Sequence, residues 1–129
     1  MKKILVNYSG HPLSQNAKNA LVKKYDVIYE SDAIFFDFSA DANIQLENIA
    51  KNTLHDVNAD STLTIIPPGQ PTLAILLISY IHGLLGHFPN LCYLELGQNG
   101  MYLPKSEYEF VTQNTRTAGR LFRTTHYRN

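Results

Sequence analysis

The chain has 129 residues, 44% of them hydrophobic, enough to bury a core without disulfides or a metal and too many for wholesale disorder. Eleven basic and eleven acidic side chains cancel, which argues against a broad duplex-DNA-binding surface, since that needs a net basic face. The single cysteine, Cys92, excludes an internal disulfide framework and a CxxC metal or redox site.

The start, Met1-Lys2-Lys3, leads directly into an apolar run at 4–7. That reads as a first strand rather than a signal-peptide core, and makes the cytoplasm the expected compartment. The strand stops at Ser9-Gly10-His11-Pro12. Ser14 is a good N-cap, and Ala17, Ala20, Leu21 and Tyr25 recur at helical spacing, predicting a helix over 14–25. Residues 27–29 read as a second strand, and 33–38, rich in β-formers, as another. Residues 41–57 read as a second helix, with Ala42, Leu46, Ile49, Ala50, Thr53 and Val57 on one face. Residues 63–66 are a buried strand ending in Pro67-Pro68-Gly69. Pro71 suits the first position of a third helix that runs to about Leu85. Gly86 stops it, and Pro89 prevents continuation. Residues 91–96 form the next strand, and Asn99-Gly100 is a hairpin signal before 101–103. Two readings of the C-terminal region stay open. Ser106 and Glu109 form a capping box that opens a helix, or 108–111 is a last strand with a helix from about Thr112. Both place a helix over 116–123.

Strands alternating with helices imply βαβ units around a mostly parallel sheet with right-handed crossovers. The expected fold is a single α/β domain over 1–129, Rossmann-like, with helices flanking the sheet. In such sheets ligands sit beyond the carboxyl ends of the strands. The expected pocket therefore lies where loop 8–14 meets loop 67–70.

Helix three is unusually apolar, since between Leu73 and Leu85 only Ser79, Tyr80 and His82 carry polar groups. At about 22 Å it is too short to span a membrane. A helix apolar all round must be buried all round, and a second copy of the chain is an economical partner. Thr72, Ser79, Gly83 and Gly86 lie within about 40° of one line on it. Either this stripe packs on the sheet, or it is a homodimer contact beside the pocket, repeated across a twofold axis.

The loop after strand one joins Asn7, Ser9, Gly10 and His11. Gly10 permits unusual backbone angles, and free amides with the Ser9 hydroxyl and the start of helix one can hold a phosphate. An ordinary βα turn is the alternative. Pro68, Gly69 and Gln70 open helix three. Gln70 offers donor and acceptor to a base edge or phosphate, or the segment is only a stiff connection. His82 is a buried structural histidine or a pocket residue, and His87 is expected to cap helix three. No metal-ligand spacing is present, and no cofactor is expected. Arg116, Arg120 and Arg123 share a helical face, either solvated or phosphate-binding. No carboxylate side chain follows Glu109, whereas Arg116, Arg120, Arg123 and Arg128 do. There is no GxSxG elbow and no Cys-His dyad, so the residues favour binding over catalysis.

The motif Asn7-Tyr8-Ser9-Gly10-His11-Pro12-Leu13, with Pro67-Pro68-Gly69, His82-Gly83 and Gly86-His87-Phe88-Pro89, resembles a family of small accessory proteins of type III CRISPR loci, the fifteenth of the "Csx" series. The likeness covers most of the chain and is weakest over 26–60 and after Gly97. It implies kinship with CARF-type domains, which dimerise and bind cyclic oligoadenylates across the dimer axis. Carried over residue by residue, it implies ligand contacts at Ser9, Gly10, His11, Pro68, Gly69 and Gln70. His82, Arg116 and Arg120 join them from the residue reading, and Asn7 lies in the same motif. The expected function is capture and buffering of cyclic tetra-adenylate without cleavage by a homodimer, with further assembly on ligand binding left open. The alternatives are a metal-independent ring nuclease using the ligand's own 2′-hydroxyl, and a protein-interaction module. No DNA and no membrane partner is expected.

Overall fold

Strand order decides where the loops of this chain emerge. The computed structural model describes residues 1–96 and 102–126. β1 (Lys2–Asn7), β2 (Val27–Glu30), β3 (Ser61–Ile66) and β4 (Asn90–Leu96) are parallel, and β5 (Tyr102–Phe110) lies antiparallel beside β4. The order across the sheet is β2-β1-β3-β4-β5. Four helices accompany it among the described residues: α1 (Gln15–Leu21), α2 (Ala42–Thr53), α3 (Pro71–Leu85) and α4 (Thr112–His126). Together they form one small α/β domain.

Period-two alternation distributes the core to both faces of the sheet. Ile4, Val6, Leu63 and Ile65 meet α2 (Leu46, Ala50) and α3 (Leu73, Leu77, Ile81) on one side. Leu5 and Ile66 meet α1 (Ala17, Leu21) on the other. The chain moves one way from β1 to β2 with α1 on one face, then back across to β3 and β4 with α2 and α3 on the opposite face. That change of face with direction is what crossovers of constant hand require.

Helix ends follow local chemistry. Ser14 and Asp41 cap α1 and α2 by accepting from the Ala17 and Ile44 amides. α3 starts at Pro71 and stops at Gly86, whose φ of 82° only glycine adopts at no cost and whose amide reaches the His82 carbonyl.

Several expectations are corrected. Residues 33–38 form no strand: Ile34 and Phe36 pack on the core and Phe35 is 92% exposed. Their alternation reflects burial without a ladder, because Asp37 turns the chain by accepting from the Ser39 amide and hydroxyl. α2 ends at Thr53 rather than Val57. The chain turns after Leu54, yet Val57 still reaches the core. Ser106 and Glu109 lie in β5 and open no helix, so the strand-then-helix reading holds. The Asn99-Gly100 turn and Arg128 lie outside the described residues.

α3 is not buried all round in one chain. Leu73, Leu77 and Ile81 are buried while Ile75 and Leu84 are exposed, and Thr72, Ser79 and Gly83 share the outer side. The small-residue stripe therefore faces away from the sheet. α4 goes further. It buries no residue, and its apolar Leu121 and Phe122 are exposed. None of the described helices is long and apolar enough to cross a membrane.

Candidate functional site: the β1/β3 switch point

Strand order reverses between β1 and β3, because β1 leads outward to β2 and β3 leads outward to β4. At such a point the loops on the two sides diverge and leave a crevice at the carboxyl edge. Asn7 pairs with Ile66 in register, and the Tyr8 amide donates to the Ile66 carbonyl at 2.8 Å. Loop 8–14 and loop 67–70 thus leave the sheet side by side, as the element order implied.

The first loop is held by its own side chains. Asn7 is only 2% exposed. Its Oδ1 accepts from the Ser9 amide at 3.0 Å and the Ser9 hydroxyl at 2.7 Å. Its Nδ2 donates to the His11 carbonyl at 2.9 Å and lies 3.4 Å from Glu30 Oε1. The His11 amide donates to Ser9 Oγ, and the Leu13 amide donates to Glu30. Gly10 has a φ of 79°, which a side chain would strain. This web corrects the expectation of free amides: those of Ser9, His11 and Leu13 are already used. Asn7 shapes the loop from beneath.

Tyr8 anchors the same loop on the other side. The Thr53 hydroxyl donates to the Ile49 carbonyl at 2.7 Å, so its oxygen accepts from the Tyr8 hydroxyl at 2.6 Å. Burial pushes the Tyr8 phenol up to about 12, with the Thr53 bond opposing that rise.

In the second loop, Pro68 is buried while Gly69 and Gln70 are exposed. Gln70 caps α3: its side-chain oxygen accepts from the Leu73 amide at 2.7 Å and its carbonyl from the Ala74 amide at 3.0 Å. A side chain at Gly69 would meet nothing within 4 Å, so a ligand can approach its backbone.

A cavity of about 300 Å³ adjoins the first loop, lined by Asn7, Gly10, His11 and Pro12 with Glu30, Ser31, Asp32 and Ala33. Sequence reasoning missed residues 30–33, which only the pairing of β1 with β2 brings to the loop. This side is acidic. Glu30 is paired with Lys18 at 3.4 Å. The ground open to a phosphate is therefore the β3 side, around Gly69 and Gln70.

No protein-family model, curated protein or solved structure matches this chain.

The remaining predicted residues lie elsewhere. α3 starts at the carboxyl edge and runs back across the sheet, which puts His82, in its last turn, at the amino edge. There its ring lies 4.2 Å from that of Phe88. His87 does not cap α3; its Nδ1 pairs with the Phe88 carbonyl while Gly86 provides the cap. Arg116 lines a cleft with Thr62, His87 and Asn90, at the amino ends of β3 and β4, and Arg120 and Arg123 continue along α4. Six strand residues, about 20 Å, separate this edge from the loop pair. Antiparallel β5 is the reason: it returns the chain to the amino edge before α4 begins. Among the described residues no three His, Cys, Asp or Glu side chains gather as a metal ion would require.

Proposed function

We propose that this chain is a Rossmann-like, CARF-like domain that acts as a homodimer, capturing cyclic tetra-adenylate at the β1/β3 switch point and buffering it without cleavage. The observation that carries the reading is the reversal of strand order between β1 and β3, which seats both motif-bearing loops together at the carboxyl edge. The resemblance of those motifs to the small type III CRISPR accessory proteins supplies the ligand.

The residues fall into roles. Gly69 and Gln70 face the phosphates through exposed backbone and an amide side chain. Gly10 and His11 form the opposite wall, held by Asn7 and Ser9. Asp32, in the adjoining cavity, is an acceptor matched to the exocyclic amine of an adenine. His82, Arg116 and Arg120 take no part. A second copy docks on the outer side of α3, where Ile75 and Leu84 are exposed beside Thr72, Ser79 and Gly83. Because α3 begins at the loop pair, a twofold axis along it brings two half-pockets to one ring.

Titration with labelled cyclic tetra-adenylate on native gels tests the reading: a shift at micromolar protein is expected, and no shift contradicts it. Ligand recovered after long incubation with excess protein is expected intact. Linear di-adenylate would instead identify a ring nuclease. A stable complex with another protein, in place of a dimer, would favour an interaction module.

A further inference from the structure

The neutral total of this chain conceals a local run of basic side chains at the amino edge of its sheet. At the amino edge, on the α1 face, a cleft is lined by Lys3, Lys23 and Lys24 with Thr62 and Asn90. A second cleft shares Thr62 and Asn90 and ends at Arg116. A third shares Arg116 and continues past Gly119 to Arg120 and Arg123. The three join into one path.

Its origin lies in the sequence. α1 has seven residues, about 10 Å of helix, against strands of about 20 Å. It covers Leu5 and Ile66 and leaves the amino half of that face open. There the strands carry Lys3, Thr62, Thr64 and Asn90, partners in register on one side of the sheet. α4 extends the path with arginines at positions i, i+4 and i+7, one side of a helix that is exposed beyond its first residue. Lys24 is paired with Glu109 at 3.0 Å, which neutralises the carboxylate within the path. Among the described residues Lys3, Lys23, Arg116, Arg120 and Arg123 have no carboxylate partner. Asp26 sits beside the path, occupied with the Lys3 amide.

We propose that this path is a second binding surface, for the phosphodiester backbone of a single-stranded nucleic acid. Five cations without a carboxylate partner among the described residues border the joined clefts over about 20 Å, from Lys3 across β3 and β4 and then along α4. That length suits roughly four successive phosphates. Phe88, 38% exposed and in tilted contact with the His82 ring, lies in the middle cleft and offers an aromatic ring to a base. This run of basic side chains is confined to one path, and the neutral total gives no broad basic face for a duplex. The surface is separate from the β1/β3 loops, and the proposal does not rest on their ligand.

Fluorescence anisotropy of a labelled 12-residue oligouridylate, measured from 50 to 200 mM salt, tests it. Four phosphate contacts predict a slope of log affinity against log salt of about −3, at about −0.7 per contact on a single strand. Replacing Arg116, Arg120 and Arg123 together by alanine is expected to lower affinity at least tenfold at 50 mM salt and to flatten the slope by about 2. Lys23→Ala, at the other end of the path, is expected to flatten it by about 0.7. These side chains are exposed, so the variants keep the fold, which circular dichroism checks. Unlabelled cyclic tetra-adenylate is expected not to displace the oligonucleotide. The proposal is overturned by no binding at 50 mM salt, by equal affinity for polyaspartate, or by a slope the arginine variant leaves unchanged.

Discussion

Asn7→Asp removes one donor from the loop that walls the candidate site and changes almost nothing in shape. The native Nδ2 donates to the His11 carbonyl at 2.9 Å and lies 3.4 Å from a carboxylate oxygen of Glu30. The loss of both interactions costs about 2–3 kcal/mol, one bond being neutral and the other weak but charge-assisted. The new carboxylate also faces Glu30 from inside a residue that is 2% exposed. That repulsion, with the cost of burial, raises the folded-state pKa of the introduced group above its ordinary value of about 4. A further ~2 kcal/mol is then lost as pH rises from about 4 to neutrality. The total deficit is about 4–5 kcal/mol at pH 7 and about 2–3 at pH 4, a large share of a small domain's stability. Asn7→Ala is the control, with a deficit that does not grow in this way. Urea unfolding followed by circular dichroism at both pH values reads each number. A deficit below ~1 kcal/mol at pH 7, or one equal at both pH values, would refute the assignment of Asn7 as the loop's buried frame.

Other outcomes follow from the buried hydroxyls. Tyr8→Phe is expected to cost about 1 kcal/mol, since Thr53 keeps its bond to the Ile49 carbonyl, whereas Thr53→Val strands the Tyr8 hydroxyl and costs about 2–3. A double-mutant cycle in urea checks that the pair is non-additive. Tyr25 is 7% exposed and its hydroxyl has no hydrogen-bond partner among the described residues, although Thr64 and Glu109 are near. Tyr25→Phe is therefore expected to leave the melting temperature unchanged or raised, and a drop would reveal a missing bond. Burial pushes the Cys92 thiol up to about 11 and the Tyr8 phenol up to about 12. Both groups ionise more readily once unfolded, so stability is complete below about pH 9 and falls between pH 9 and 12. The Tyr8 contribution is about 3 kcal/mol, and alkaline urea titrations of Tyr8→Phe against the native chain measure it.

Much of this fold could be read from the chain because its signals are local. Ser14, Pro71 and Gly86 mark helix ends through single hydrogen bonds and a single backbone angle, and they do so at the positions expected. The apolar runs of β1 and β3 are buried on both faces, so they stand out by composition. What failed needed partners distant in sequence. Residues 33–38 alternate as a strand does, but no neighbour supplies a ladder. The chemistry of His82 and Arg116 suits an anion, but their position at the other edge depends on antiparallel β5 and the return of α3 across the sheet. The free amides expected in loop 8–14 were lost to Asn7 and Glu30, and the second of these lies on β2. The arginine face of the basic path is legible in the chain, but its continuation is not, because Lys23 and Lys3 lie roughly ninety and roughly a hundred and ten residues before Arg116.

Calorimetry with cyclic tetra-adenylate tests the central claim most directly, run on the native chain, on Gly69→Glu and on the triple arginine variant. The account predicts one ring bound per two chains, affinity lost when a carboxylate is placed at Gly69, and affinity retained without the arginines. Binding abolished by the arginine changes and indifferent to Gly69→Glu would place the ring at the wrong edge of the sheet and contradict it.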